Sequence, residues 1–165
     1  MKKIVAAALL CFFAVAMAVS QDVDSQVENK DSASVLKDFT RSTKMQGVNI
    51  SFVLLTDKTV DLIFSGDSKY SIKARASQAT AFYVLAVPER DMMISNKFVV
   101  EQNGQTHECS TINIENFAGG NVARGQRIKG ILQLSVKLDL TRPFVIRNAQ
   151  NKMEFKLSDS ALKQL

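Results

Sequence analysis

The residues best placed to do chemistry in this 165-residue chain are His107-Glu108-Cys109, which include its only histidine. On a strand, positions 107 and 109 point to the same side, so imidazole and thiol would lie within reach and the imidazole would lower the thiol pKa. One expectation is therefore a thiol-dependent enzyme or redox protein that uses Cys109 with His107. The plainer reading is a small buried cysteine beside a polar neighbour. A serine triad is excluded by motif, because no G-x-S-x-G elbow accompanies His107. A structural zinc site needs four ligands, and once Cys11 is set aside as part of a leader the chain offers one histidine and one cysteine. Asp57, Asp61 and Asp67 lack the glycine and glutamate spacing of a calcium loop and read as turn formers and solvated positions. Gly119-Gly120 has no Lys-Ser/Thr pair after it, so no phosphate cradle is formed. Asn49-Ile50-Ser51 is a glycosylation triplet, meaningful only in a eukaryotic secretory pathway. On these grounds no catalytic residue, metal ligand or cofactor is expected.

Charge offers a second chemistry. From Arg124 to Lys156 there are eight basic residues (Arg124, Arg127, Lys129, Lys137, Arg142, Arg147, Lys152 and Lys156) against the two acids Asp139 and Glu154. Residues 21–38 hold five acids against two bases. Arg124, Arg127 and Lys129 are accordingly candidates for binding an anionic polymer such as envelope glycan or lipid headgroups. A nucleic-acid partner is not expected, since no aromatics are interleaved for base stacking. Lysine and arginine on the wet face of strands, where they deter edge pairing, are the plainer explanation.

The first twenty residues have the form of a secretory leader: Lys2 and Lys3, an apolar run from Ile4 to Val15, then Ala16-Met17-Ala18. Cleavage is expected after Ala18, or as late as Ser20. The run is shorter than the roughly 20 residues that span a bilayer, so no transmembrane anchor is expected after cleavage. Cys11 follows Leu9-Leu10 rather than a small residue, which argues against lipidation there. With Lys2 and Lys3 gone, 19 basic residues face 16 acidic ones, for a net charge of +3 in place of +5. Cys109 is then alone, so no internal disulfide forms and the core must hold without a staple. The expected location is secreted or periplasmic.

The elements that would position these residues read as strands. Ile131 to Leu140 alternates strictly, with Leu132, Leu134, Val136, Leu138 and Leu140 on one side and Gln133, Ser135, Lys137 and Asp139 on the other. That is the period of a strand with one buried face. Val48–Leu55, Thr59–Phe64 and Tyr70–Ala76 carry strand signals of the same kind, with a turn at Thr56-Asp57-Lys58 and a break at Ser65-Gly66-Asp67-Ser68. Thr80–Val87, continuously apolar and closed by Pro88, reads as an inner strand. Met92–Gln102 and Gln105–Glu115 flank Asn103-Gly104, the dipeptide that most readily takes the positive φ angles of a tight hairpin. Phe117–Gly125 holds three glycines and reads as a mobile loop. After Thr141-Arg142-Pro143 come two more short strands, Phe144–Arg147 and Met153–Leu157. Eight or nine strands without crossover helices predict an all-β chain, an antiparallel β-sandwich over 47–158. A polar tether spans 19–46, with a short helix at 33–41 where Val35, Leu36 and Phe39 share a face. Residues 159–165 form a tail.

Lys97-Phe98-Val99-Val100-Glu101-Gln102-Asn103-Gly104, then Gly125-Gln126-Arg127-Ile128-Lys129-Gly130-Ile131-Leu132-Gln133-Leu134, and later Pro143-Phe144-Val145-Ile146, form a series of glycine turns and alternating stretches. The series resembles the second half of bacterial secreted immunoglobulin-like domains of unknown function, over roughly residues 80–157. The resemblance implies an immunoglobulin-like sandwich with a short N-terminal extension and brings no catalytic residue with it. The Cys-Trp-Cys core of antibody domains is missing. The function expected is that of an exported, non-enzymatic binding or structural module of the cell envelope with a protein or glycan partner. Its contact surface is expected at the Asn103-Gly104 tip and at loop 117–125.

Overall fold

The computed structural model describes residues 30–165. The expected leader, its cleavage site and the first part of the tether lie outside the described residues. Helix α1 (Lys30–Phe39) leads into a meander of β1 (Thr40–Met45), β2 (Val48–Leu54) and β3 (Ala81–Pro88), with helices α2 (Asp57–Ile63) and α3 (Ser68–Gln78) inserted between β2 and β3. Then follow β4 (Met92–Ile94), β5 (Val99–Gln102), β6 (Gln105–Glu108), β7 (Ser110–Glu115), β8 (Gly120–Val122) and β9 (Ile128–Gln133). The chain closes with β10 (Phe144–Asn148), β11 (Asn151–Phe155) and the single turn α4 (Asp159–Leu162).

The described residues are mostly β, and their named strands pair antiparallel. A five-stranded sheet runs β1-β2-β3-β9-β7, a four-stranded sheet β11-β10-β5-β6, and β4 and β8 form a separate ribbon. Tight turns with positive φ set the registers. Asn103 and Gly104 (φ 52° and 76°) join β5 to β6, and Gln46 and Gly47 (φ 52° and 83°) join β1 to β2, as type I′ geometry requires.

The two sheets meet along both edges. β6 ends at Glu108 and β7 begins at Ser110, so the chain passes from one sheet to the other through Cys109, whose N–H donates to Phe98 O at 3.0 Å. On the opposite side Arg41 of β1 donates through Nε and Nη2 to Lys156 O, at 3.1 and 2.6 Å, with its guanidinium 5.8 Å from the Phe155 ring centre. Between the sheets lie two groups of rings: Phe82, Phe144 and Phe155 toward the helical end, and Phe52, Phe98 and Phe117 toward the ribbon.

Five expectations are corrected. Thr59–Phe64 is not a strand but lies largely in α2. Thr56 caps this helix, with its Oγ1 accepting from Thr59 N–H at 3.2 Å while Thr59 Oγ1 accepts from Thr56 N–H at 2.8 Å. Tyr70–Ala76 is not a strand either; it lies within α3, whose Lys, Ala, Arg and Gln residues favour helix. The alternation from Ile131 to Leu140 is strand only as far as Gln133. Beyond it the chain crosses between the sheets, held by Leu134 N–H to Thr80 O (2.9 Å), Thr80 N–H to Val136 O (3.0 Å) and Leu138 N–H to Thr80 Oγ1 (2.8 Å). A crossover lying on the end of a sandwich has one apolar side just as a strand does. Within 117–125, the expected mobile loop, Phe117 is buried and residues 120–122 form β8. Likewise, the described part of the expected tether forms α1 and β1, with Phe39 fully buried.

The tightest contact explains Gly130. A Cβ there would lie 1.9 Å from Phe117 Cδ1, so the ring rests directly on the β9 backbone. Gly130→Ala is expected to cost about 3 kcal/mol through overpacking, and Phe117→Ala about 3–5 kcal/mol through cavity formation. In denaturant titrations the double variant should lose less than the sum, because the new methyl occupies space that the ring has left. Additive losses would show that the two residues do not compete for that space.

Candidate functional site

Cys109 sits at the corner where β6 becomes β7, half-buried against the core. Burial pushes its thiol pKa up to about 12, and burial is the only cause of the shift. His107, half-buried on β6 opposite Val100, contributes nothing to it. A working nucleophile needs the opposite, a lowered pKa. The corner therefore holds a protonated thiol at neutral pH.

Arg124, Arg127 and Lys129 follow one another at the ribbon end of the five-stranded sheet. Arg124 is exposed, and its N–H donates to Asp91 Oδ1 at 2.7 Å. Arg127 is exposed, with its carbonyl accepting from Asn116 Nδ2 at 2.9 Å. Lys129 lies opposite Glu115 across β9 and β7, Nζ 3.4 Å from Oε2. Of the other C-terminal cations, Arg142 faces Asp139 at 3.4 Å and Arg147 faces Glu101 at 2.8 Å. Lys129, Arg142 and Arg147 are thus each matched by a local acid, on different elements. Among the described residues no group of three or more His, Cys, Asp or Glu side chains is placed to hold a metal ion, and no helix is long and apolar enough to cross a membrane. Ser51 of the glycosylation triplet is buried in β2, its Oγ 2.7 Å from Ser42 Oγ.

The two expected contact loops lie at opposite ends. Asn103-Gly104 sits at the helical end, beside the crossover, where Gln102 clasps the backbone of Asp139 (Nε2 to O 2.8 Å, N–H to Oε1 2.9 Å). Residues 117–125 sit at the ribbon end, where Gly125 N–H donates to Pro88 O at 2.8 Å. There a small apolar cavity of about 40 Å³ lies among Met45, Met92, Ile94, Phe98 and Phe117. A void of that size has room for little more than a water, and its apolar walls offer water few partners.

The tip is the more open of the two. An open groove of about 480 Å³ lies against it, lined by Glu101, Gln102, Asn103, Gly104, Thr106, Pro143, Phe144, Val145 and Glu154. That volume falls in the range of small-ligand sites. The strand register accounts for its floor: Glu154, Val145, Glu101 and Thr106 are direct neighbours across β11, β10, β5 and β6 and so form one row on the outer face of the four-stranded sheet. The next row on that face is Lys152, Arg147, Val99 and Glu108. Carboxylates, hydroxyl and amide thus surround an apolar floor at Val145, with cations one row away, and the surface offers hydrogen bonds rather than one sign of charge. Glu101, Thr106, Val145 and Glu154 were not singled out in the sequence. Alternation marks most of them as wet-face residues, but only the register brings them together.

Comparison with family models, with curated proteins and with solved structures finds no match to this chain.

Cys109 provides a direct check. Raising the thiol pKa from 9.0 to about 12 lowers the thiolate fraction at pH 7 roughly a thousandfold. Brief alkylation of folded protein should leave Cys109 unmodified and label it only in denaturant; labelling at the rate of a free cysteine would restore the reactive-thiol reading. The sign for stability follows. The unfolded thiol ionises from about pH 9 and the folded one does not, so this group's contribution is whole below pH 9 and declines as pH rises toward 12. Cys109→Ala should show a shallower alkaline loss of stability than wild type.

Proposed function

We propose that this protein is an exported, non-enzymatic binding module of the cell envelope, secreted or periplasmic, which contacts a glycan or protein through the groove beside the Asn103-Gly104 tip. The observation that carries the reading is the groove itself, about 480 Å³ on the four-stranded face and lined in good part by side chains that donate or accept hydrogen bonds. Such a lining suits a hydroxyl-rich or peptide ligand better than an apolar one, and sites on sheets keep their geometry better than sites on loops. The Lys2–Ala18 pattern supports export. Kinship with bacterial immunoglobulin-like domains rests on the glycine turns and alternating stretches between Lys97 and Ile146, and two antiparallel sheets are compatible with it. The β1-β2-β3 meander departs from the immunoglobulin order, in which early and late strands interleave.

The test is co-sedimentation of the purified protein with insoluble envelope glycan and capture from envelope extracts, comparing wild type with Val145→Arg and Thr106→Arg. Both positions are on the solvent side of the sheet, so the variants should fold normally while filling the groove. Bound protein should fall at least roughly tenfold, the effect of losing about 1.4 kcal/mol of affinity. Equal retention of wild type and both variants would remove the groove from the reading.

A further inference from the structure

β2 and β3 are adjacent antiparallel strands, yet their connection is a helical excursion from Leu55 to Thr80. It lies on the side of the five-stranded sheet that faces away from the core. Val53, Tyr83, Ile131 and Ile112 form one row on that side, with Leu85 beside them. Val53, Tyr83, Leu85 and Ile131 are each at most 8% exposed, so both faces of this sheet are covered. The cover touches it where Phe64 meets Tyr83 edge-on at 5.4 Å and where Arg75 Nη1 donates to Gln133 Oε1 at 3.3 Å.

The two halves of this cover are held differently. α2 is anchored by fully buried Thr59 and Val60, by its capping box, and by Thr59 Oγ1 donating to Leu54 O at 2.8 Å. α3 buries no residue completely, has no side-chain cap at Asp67, and turns only the half-buried Ile72 and Ala76 inward, while Tyr70 is 68% exposed. The ion pairs that join it to α2 share one carboxylate: Asp61 Oδ1 is 2.7 Å from Lys69 Nζ and Oδ2 is 2.6 Å from Lys73 Nζ, two ammonium groups one helical turn apart. These groups are solvated, so their attraction at 2.6–2.7 Å weakens in part as salt rises and the screening length shortens from about 10 Å at 0.1 M toward roughly 3 Å at 1 M. An 11-residue helix released from its neighbours is too short to persist in water.

We infer that α3 is a displaceable strap over the outer face of the five-stranded sheet, latched by the Asp61–Lys69–Lys73 ion triad, which unlatches as ionic strength rises while α2 and the sandwich stay folded. Unlatching bares the apolar surface against which Ile72 and Ala76 pack. Ionic strength thereby controls how much apolar surface the protein shows.

Amide hydrogen exchange of the full chain at 0.02 and 0.5 M NaCl tests this. Amides of residues 69–78 should lose protection roughly three- to tenfold at the higher salt, the scale of two exposed ion pairs, with β3 amides unchanged. Asp61→Asn, and separately Lys69→Gln with Lys73→Gln, should show the fast rate at both salts. An α3 as protected as β3, or one whose protection ignores both salt and these variants, would overturn the proposal. So would an Ile72→Gln variant that alone frees the helix, because apolar packing would then be the latch.

Discussion

The Phe117 ring lying on Gly130 is the constraint on which the arrangement of the sheets depends. β9 sits between β3 and β7, and the missing side chain at Gly130 creates the one place where a ring can approach the sheet to backbone contact. Phe117 then reaches Phe98, and Phe98 reaches Phe52 of β2. Phe98 also directly precedes β5 and accepts the Cys109 N–H through its carbonyl. One contact thus fixes how the four-stranded sheet and the loop after β7 lie over the five-stranded one. It also gives a physical content to the glycine spacing around residues 125–134. Gly125 takes φ 74° in the turn before β9, and Gly130 makes room for the ring.

Closure of the two sheets along both edges decides where a ligand can be met. On one side the backbone itself passes from sheet to sheet at Cys109, which is why the thiol is drawn into the core and its ionisation suppressed. On the other side Arg41 spans the gap to Lys156. The five-stranded sheet is covered by the core within and by α2 and α3 without. Among the described residues the outer face of the four-stranded sheet has no such cover, and its rows mix apolar, acidic and basic residues. The groove at the Asn103-Gly104 tip is therefore a consequence of the layering, which leaves that face open among the described residues.

Legibility in the sequence varied with how local the signal was. Asn103-Gly104 specifies its turn by itself, and Thr80–Val87, apolar on both sides, too short for a helix and closed by Pro88, reads as a strand buried on both faces. Gln46-Gly47 makes an equivalent turn, but the polar Thr-Arg-Ser-Thr-Lys before it hid an edge strand within a segment read from composition. Alternation misled at Thr59–Phe64 and Tyr70–Ala76, where short segments fit either period and the Thr56/Thr59 capping box carried the deciding information. It misled again after Gln133, where hydrogen bonds to Thr80 and Gln102 replace those of a ladder. The groove residues could not be grouped from sequence, because Glu154, Val145, Glu101 and Thr106 become neighbours only once four strands have taken their register.

The buried polar side chains tie these levels together. Thr59, Thr80, Gln102 and Asn148 are each under 9% exposed, and each is hydrogen-bonded where the chain enters or leaves a sheet. Thr59 bonds Leu54 O, Thr80 bonds Leu138 N–H, Gln102 bonds both backbone groups of Asp139, and Asn148 Nδ2 bonds Ser95 O and Lys97 O at 3.0 and 2.8 Å. A buried amide or hydroxyl without a partner is costly, so these four residues specify the paths of the crossovers more sharply than apolar packing does. Gln102 is the one that bears on the groove proposed as the binding surface. It faces the core from β5, and by clasping Asp139 it places the turn in which Thr141 donates to Asp139 Oδ1 through N–H at 3.0 Å and through its hydroxyl at 2.5 Å. Those two bonds, and then the nearby Arg142, hold the Asp139 carboxyl below the usual carboxylate range. The same turn sets Pro143 on the rim of the groove. A residue in the core thus fixes the edge of the groove, which is the preorganisation that the proposed binding role would call for.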